Sequence, residues 1–153
     1  MEDTVMVAIC PIVEKKINEK LARINAFFTF LLTGIALIFS LEWLFLFIAI
    51  DFGMRAFYNE RYSLITHLSR FILTTLQSPP VFINAGPKIF AARVGLAMAI
   101  LTGFMVFFGW YVGAVVVGGL LILFSFLESV FGLCVACKLY PFLYQFQMKL
   151  NQK

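Results

Sequence analysis

Charge is scarce in this sequence. Asp, Glu, Lys and Arg together make up 13% of the 153 residues, and histidine occurs once, at His67. No Ser or Asp constellation with hydrolase spacing accompanies that histidine, and neither an HExxH stretch nor a phosphate-cradling Gly loop is present. Hydrolase and nucleotide-handling classes therefore find no support, and His67 reads as a solvated interface residue. The chain is basic, with a formal net charge of +4, but its Lys and Arg form no dense stripe, so nucleic acid is excluded as a partner. The first 23 residues carry Glu2, Asp3, Glu14, Lys15, Lys16, Glu19, Lys20 and Arg23. They lack the compact basic start and apolar core of a cleaved secretory signal, so the N-terminus is expected to be retained.

Apolar side chains fill the space that charge leaves. The chain is 62% hydrophobic and 17% aromatic, with a mean hydropathy of +0.96, far above an ordinary soluble domain. Nineteen Phe and five Tyr are more aromatic surface than a water-soluble core of this size hides. Lipid is the expected solvent.

Four apolar runs, approximately residues 24–39, 43–58, 89–108 and 111–134, approach the roughly 20 residues a bilayer-crossing helix needs. Ser40, Leu41 and Glu42 separate the first two, and Gly109 and Trp110 the last two. The expected fold is all-α: one polytopic membrane domain over 1–153, with four transmembrane helices in two hairpins and interfacial tryptophans at the tips. Between the hairpins, Leu64, Ile65, Leu68, Ile72 and Leu76 recur at helical spacing, predicting an amphipathic helix over about 63–77 that lies in the interface and ends at Pro79 and Pro80. With four spans, all twelve Lys and Arg fall on one side, which places both termini and the central loop in the cytoplasm. A faint internal repeat joins Ala22-Arg23-Ile24 to Ala92-Arg93-Val94 and Leu32-Thr33-Gly34 to Leu101-Thr102-Gly103. It reads either as a parallel repeat about the membrane normal, with Asp51 and Glu128 in similar places, or as coincidence in apolar sequence.

The three cysteines sit at one predicted interface. Cys134 and Cys137 are i and i+3, on one face of a continuing helix, and that spacing permits a disulfide, a shared soft metal or a persulfide handed between neighbours. Lys138, one turn past Cys134, favours a thiolate there. Cys10 precedes Pro11, so it is expected at a helix N-cap, its sulfur facing the positive dipole end. The alternative is that each cysteine is simply a small apolar residue. In a reducing compartment cycling thiols fit better than a permanent disulfide.

Asp51 and Arg55, at i and i+4, are expected to form an ion pair at the inner end of the second span. Glu128 is an intramembrane carboxylate and by that token a site candidate, with Arg93 or Arg23 as its expected partner; a clamp holding the hairpins in register is the alternative. On a straight helix Glu128 points away from Cys137, which disfavours direct proton exchange.

Taken together, the Cys10-Pro11 pair, Arg23-x-Asn25, DFxxRAF at Asp51 to Phe57, PKxFAARxG at Pro87 to Gly95 and FLExxFGxCxxCKxYP at Phe126 to Pro141 resemble a bacterial membrane-protein family of unknown function, from Cys10 to about Phe142. The resemblance implies four helices, thioredoxin-like or rhodanese-like sulfurtransferase partners, and Cys10, Cys134, Cys137, Asp51, Arg55 and Glu128 as matched family positions. Family members often carry Gly directly before the second cysteine, where this chain has Ala136. The resulting expectation is a membrane thiol protein handling disulfide or persulfide sulfur at the cytoplasmic face. Two readings stand beside it: a soft-metal or sulfur-species transporter using Cys10, Cys134 and Cys137, and a noncatalytic assembly subunit. Homo-oligomerisation to complete a site stays open.

Overall fold

The computed structural model describes residues 16–58 and 60–150. In chain order these form β1 (Lys16–Asn18), α1 (Glu19–Ile38), α2 (Glu42–Phe57), a 3-10 turn (Glu60–Tyr62), α3 (Leu64–Thr75), β2 (Phe82–Asn84), α4 (Ala85–Phe107), α5 (Tyr111–Phe131) and α6 (Val135–Leu150). The all-helical expectation holds apart from the small ribbon, in which β1 and β2 pair antiparallel with Ile17 opposite Ile83. Three residues per strand carry no readable alternation, so the ribbon left no mark in the sequence pattern.

Each strand runs straight into a capped helix. The Asn18 side chain accepts from Lys20 N at 3.1 Å and the Asn84 side chain from Gly86 N at 3.1 Å, satisfying orphan amides of α1 and α4. The two helices also end alike. Leu41 N reaches back to Ala36 O at 2.9 Å, and Trp110 N to Met105 O at 2.8 Å, the six-to-one bond of a Schellman stop. The left-handed residue this requires is Gly109 (φ 75°) at one tip and Ser40 (φ 51°) at the other. α1 and α4, which carry the faint repeat, thus share backbone geometry at both ends, though α3 ends in the same stop, with Ser78 N on Leu73 O at 3.4 Å and Gln77 at φ 49°. The carboxylates are not in similar places, however: Asp51 lies in the second half of the 16-residue α2, Glu128 in the last turn of the 21-residue α5.

Three helices, α1, α4 and α5, are long and apolar enough to cross a membrane. The predicted second span, 43–58, is α2. Its 16 residues reach about 24 Å at 1.5 Å per residue, short of a hydrocarbon core of about 30 Å. The first span starts earlier than predicted, at Glu19, because Asn18 caps it. The last stops at Phe131 rather than residue 134, because Gly132 turns the chain at φ 64°.

α1 packs chiefly along α5 and α2 along α4, while α4–α5 and α1–α2 contacts close a four-helix ring. Its interior is built from small side chains with a few large ones from α2: Ala36, Ala92, Ala99 and Ala114 lie against Phe45, Ile48 and Phe52. Large residues such as Phe27, Phe104, Phe107, Val112 and Leu123 point outward. That inversion belongs to a protein whose helices approach through small residues and leave bulky ones to lipid. α3 falls within the predicted 63–77 and splits in two. Ile65, Thr66, Ser69 and Leu73 face inward, whereas Leu64, Leu68, Phe71 and Leu76 are exposed. His67 is exposed, as expected.

At Gly95 α4 meets α2 with no room to spare. A Cβ there would lie 2.6 Å from the Phe52 ring, whereas one at Gly119 meets nothing within 4 Å. Gly95→Ala is expected to destabilise the protein by about 1–3 kcal/mol and Gly119→Ala to leave it unchanged or slightly stabilised, as read from thermal unfolding in detergent micelles.

Candidate functional site

Asp51 is 3% exposed, and a carboxylate so deeply buried needs partners on every side. Arg55, one turn on, donates to Oδ2 through Nε at 2.8 Å and through Nη2, so the expected i, i+4 ion pair is present. The other oxygen is used as well. Oδ1 accepts from the Ser63 hydroxyl and from Ile65 N at 3.3 Å. Ser63 is the N-cap of α3 and accepts from Thr66 N at 3.1 Å. Asp51 therefore sits at the positive end of α3 as well as beside a guanidinium. Thr66 carries the chain of bonds onward, its Oγ1 accepting from Asn25 Nδ2 at 3.0 Å, and Thr29 Oγ1 donates to Asn25 O at 3.0 Å. Side chains of α1, α2 and α3 are thereby joined into one polar network.

The partner of Glu128 is Lys88, whose Nζ donates to Oε1. This corrects the expected Arg93 or Arg23. Lys88 stands in the first turn of α4, level with the last turn of α5, because the two helices run antiparallel from the Gly109 turn. Arg23 instead pairs with Glu19 at 3.3 Å and packs against Gly132. The Arg93 guanidinium lies 5.5 Å over the Phe57 ring, and its Nε and Nη1 have no hydrogen-bond partner among the described residues. Arg55 of the first pair and both members of the second line one cavity of about 130 Å³, together with Asn25 and Ser125 among others. Of these, Asn25, Lys88 and Ser125 were not put forward as site residues from sequence. The signal for Lys88 was its place in PKxFAAR, one turn into a helix, and that for Asn25 its place in Arg23-x-Asn25.

Cys134 does not continue α5. Gly132 N bonds to Glu128 O at 3.0 Å and Leu133 N to Leu127 O at 3.3 Å, closing α5, and Lys138 N then bonds to Cys134 O at 3.1 Å, opening α6. Cys134 thus occupies the cap of a new helix, with Cys137 in its first turn. The single straight helix on which Glu128 and Cys137 were placed on opposite faces does not exist. Cys134 is 8% exposed and is engaged in a disulfide. Cys10 lies outside the described residues, as does the side chain of Cys137. A groove of about 300 Å³ opens beside Cys134, bordered by Glu19, Asn84, Lys88 and Lys138, so Lys88 faces both groove and cavity. Among the described residues no group of three His, Cys, Asp or Glu comes close enough to hold a metal ion.

Residues 17–145 match the model of a family described as a domain of unknown function, DUF4395. The chain belongs to that family. No curated protein and no solved structure matches it. The family thus supplies a boundary but no chemistry, and the site must be read from its own geometry.

Lys88 and Glu128 are both largely buried, so removing one partner strands the other. Lys88→Met is expected to cost about 2–4 kcal/mol, and Lys88→Met combined with Glu128→Met to recover most of it, measured by thermal or denaturant unfolding of the two variants side by side.

Proposed function

We propose that this protein is a four-span resident of the bacterial inner membrane that exchanges disulfide or persulfide sulfur at its cytoplasmic face with a soluble thioredoxin-like or rhodanese-like protein. The observation that carries the reading is the disulfide at Cys134, held at the start of a helix beside a groove with two lysines, Lys88 and Lys138. α2 serves as the fourth span, its shortness met by local thinning of the bilayer and by its long contact with α4. The one-sided placement of all twelve Lys and Arg supports cytoplasmic termini, and the exposed apolar stripe of α3 supports a helix lying in the headgroup layer.

The exchange balances without further reagents. One thiolate of a dithiol partner attacks a sulfur of the disulfide, giving a mixed disulfide and releasing the other sulfur as thiolate. The partner's second thiol then attacks the mixed disulfide. The partner leaves as a disulfide and this chain as a dithiol, two electrons having moved. The start of α6 and the nearby ammonium groups stabilise a departing Cys134 thiolate. In the persulfide version, a reduced Cys134 thiolate takes the outer sulfur of a partner persulfide and leaves the partner a thiol.

A thioredoxin-like protein lacking its second cysteine is expected to be trapped by the wild-type chain as a mixed disulfide on non-reducing gels. Cys134→Ser is expected to reduce that trapping at least about tenfold. Equal trapping by wild type and variant removes the reading.

A further inference from the structure

Beside the ribbon a groove of about 280 Å³ opens between β1, the start of α1, the far end of α3 and β2. Lys16 and Arg70 line it, and neither has an ion-pair partner among the described residues. Arg55 and Lys88, by contrast, are matched by Asp51 and Glu128. A third cation is bonded at the edge: Lys20 Nζ donates to the Ser78 hydroxyl at 2.7 Å, and Ser78 lines the groove. No Asp or Glu lines it among the described residues. Glu19, next to Lys20 in sequence, is bonded to Arg23 at 3.3 Å and borders the groove beside Cys134 instead. The positive charge of this concavity is therefore unanswered.

α3 shows which phase lies outside. At about 100° per residue, the exposed Leu64, Leu68 and Phe71 share one narrow arc, and the exposed His67, Arg70 and Thr74 share the next one round. The first arc belongs among acyl chains, which sets the second at phosphate depth. The groove has both characters. Ile17, Leu21, Leu73 and Phe82 supply an apolar side to it, and Phe82 and the neighbouring Val81 are exposed.

We infer that this groove holds the phosphate of an anionic phospholipid. Lys16 and Arg70 donate to its oxygens, Ser78 adds the hydroxyl proton that its bond from Lys20 leaves unused, and an acyl chain runs past Phe82 into the bilayer. Basic pockets on the cytoplasmic side of membrane helices take such headgroups. The apolar side favours a lipid over free phosphate, which has no use for it. A zwitterionic lipid also carries a phosphate, but its ammonium finds no carboxylate here. The inference rests on the headgroup-layer placement of α3 proposed above and uses no part of the sulfur exchange.

A tryptophan in the groove reads the occupant. The full chain carrying Phe82→Trp is placed in phosphatidylcholine nanodiscs in which a minor share of the lipid, either phosphatidylglycerol or phosphatidylcholine, is brominated on its acyl chains. The brominated phosphatidylglycerol is expected to quench position 82 at least about threefold more than an equal share of the brominated phosphatidylcholine. Trp43 and Trp110, at the two hairpin tips, are read in the parent chain and subtracted. Lys16→Gln with Arg70→Gln is expected to erase the preference, whereas Arg61→Gln with Lys149→Gln, which removes equal charge outside the groove, is expected to keep it. Equal quenching by the two lipids, or equal loss in both double variants, overturns the inference. Loss of the preference on adding inorganic phosphate, but not chloride at the same ionic strength, assigns the groove to free phosphate and overturns the lipid. Phe71→Trp, on the apolar arc, separates the two levels of the argument. Quenching there without a preference at position 82 overturns the groove alone; no quenching at either position overturns the placement of α3 with it.

Discussion

A single carboxylate organises one side of this protein. Asp51 is buried among apolar residues, and its charge is tolerable only because Arg55, Ser63 and the start of α3 converge on it. Meeting that demand fixes where the central segment folds back after α2. It sets the first residue of α3, and through Thr66 and Asn25 it ties that helix to α1. The network is local in origin, since Asp51 and Arg55 are one turn apart, but its reach is tertiary. Removing the charge would release α3 from α2 as well as unpairing an arginine.

Features that arise from periodicity and composition were legible before any coordinates. The apolar runs, the amphipathic α3, the Asp51–Arg55 pair and the tight turns at Ser40 and Gly109 all follow from spacing within a few residues. Where the reading failed, the deciding contact came from far along the chain or from a single backbone angle. Glu128 finds Lys88 because two antiparallel helices set their ends level, a geometry that favours the lysine over Arg93 and Arg23. The expected continuous helix through Cys134 is cut by the left-handed turn at Gly132, although a glycine before the cysteines was the available signal. Asn25 stands in the Arg23-x-Asn25 motif, but its role is not readable there, because that role is given by Thr66 on another helix and by the cavity it lines.

The two ion pairs divide the labour between them. Asp51 is saturated and structural. Glu128 and Lys88 are less enclosed than Asp51, and Lys88 stands between the cavity among the helices and the groove beside Cys134. A lysine shared by two spaces is well placed to make what happens in one felt in the other, while the small-residue interior keeps the helices close around both.

The ribbon of Lys16–Asn18 with Phe82–Asn84 has a consequence for the order in which the molecule is made. Its second strand emerges from the ribosome only after α1, α2 and α3 have been synthesised, so the first half must enter the bilayer without it. The ribbon is a clasp fastened late, and it joins the entrances of α1 and α4 once the second half arrives.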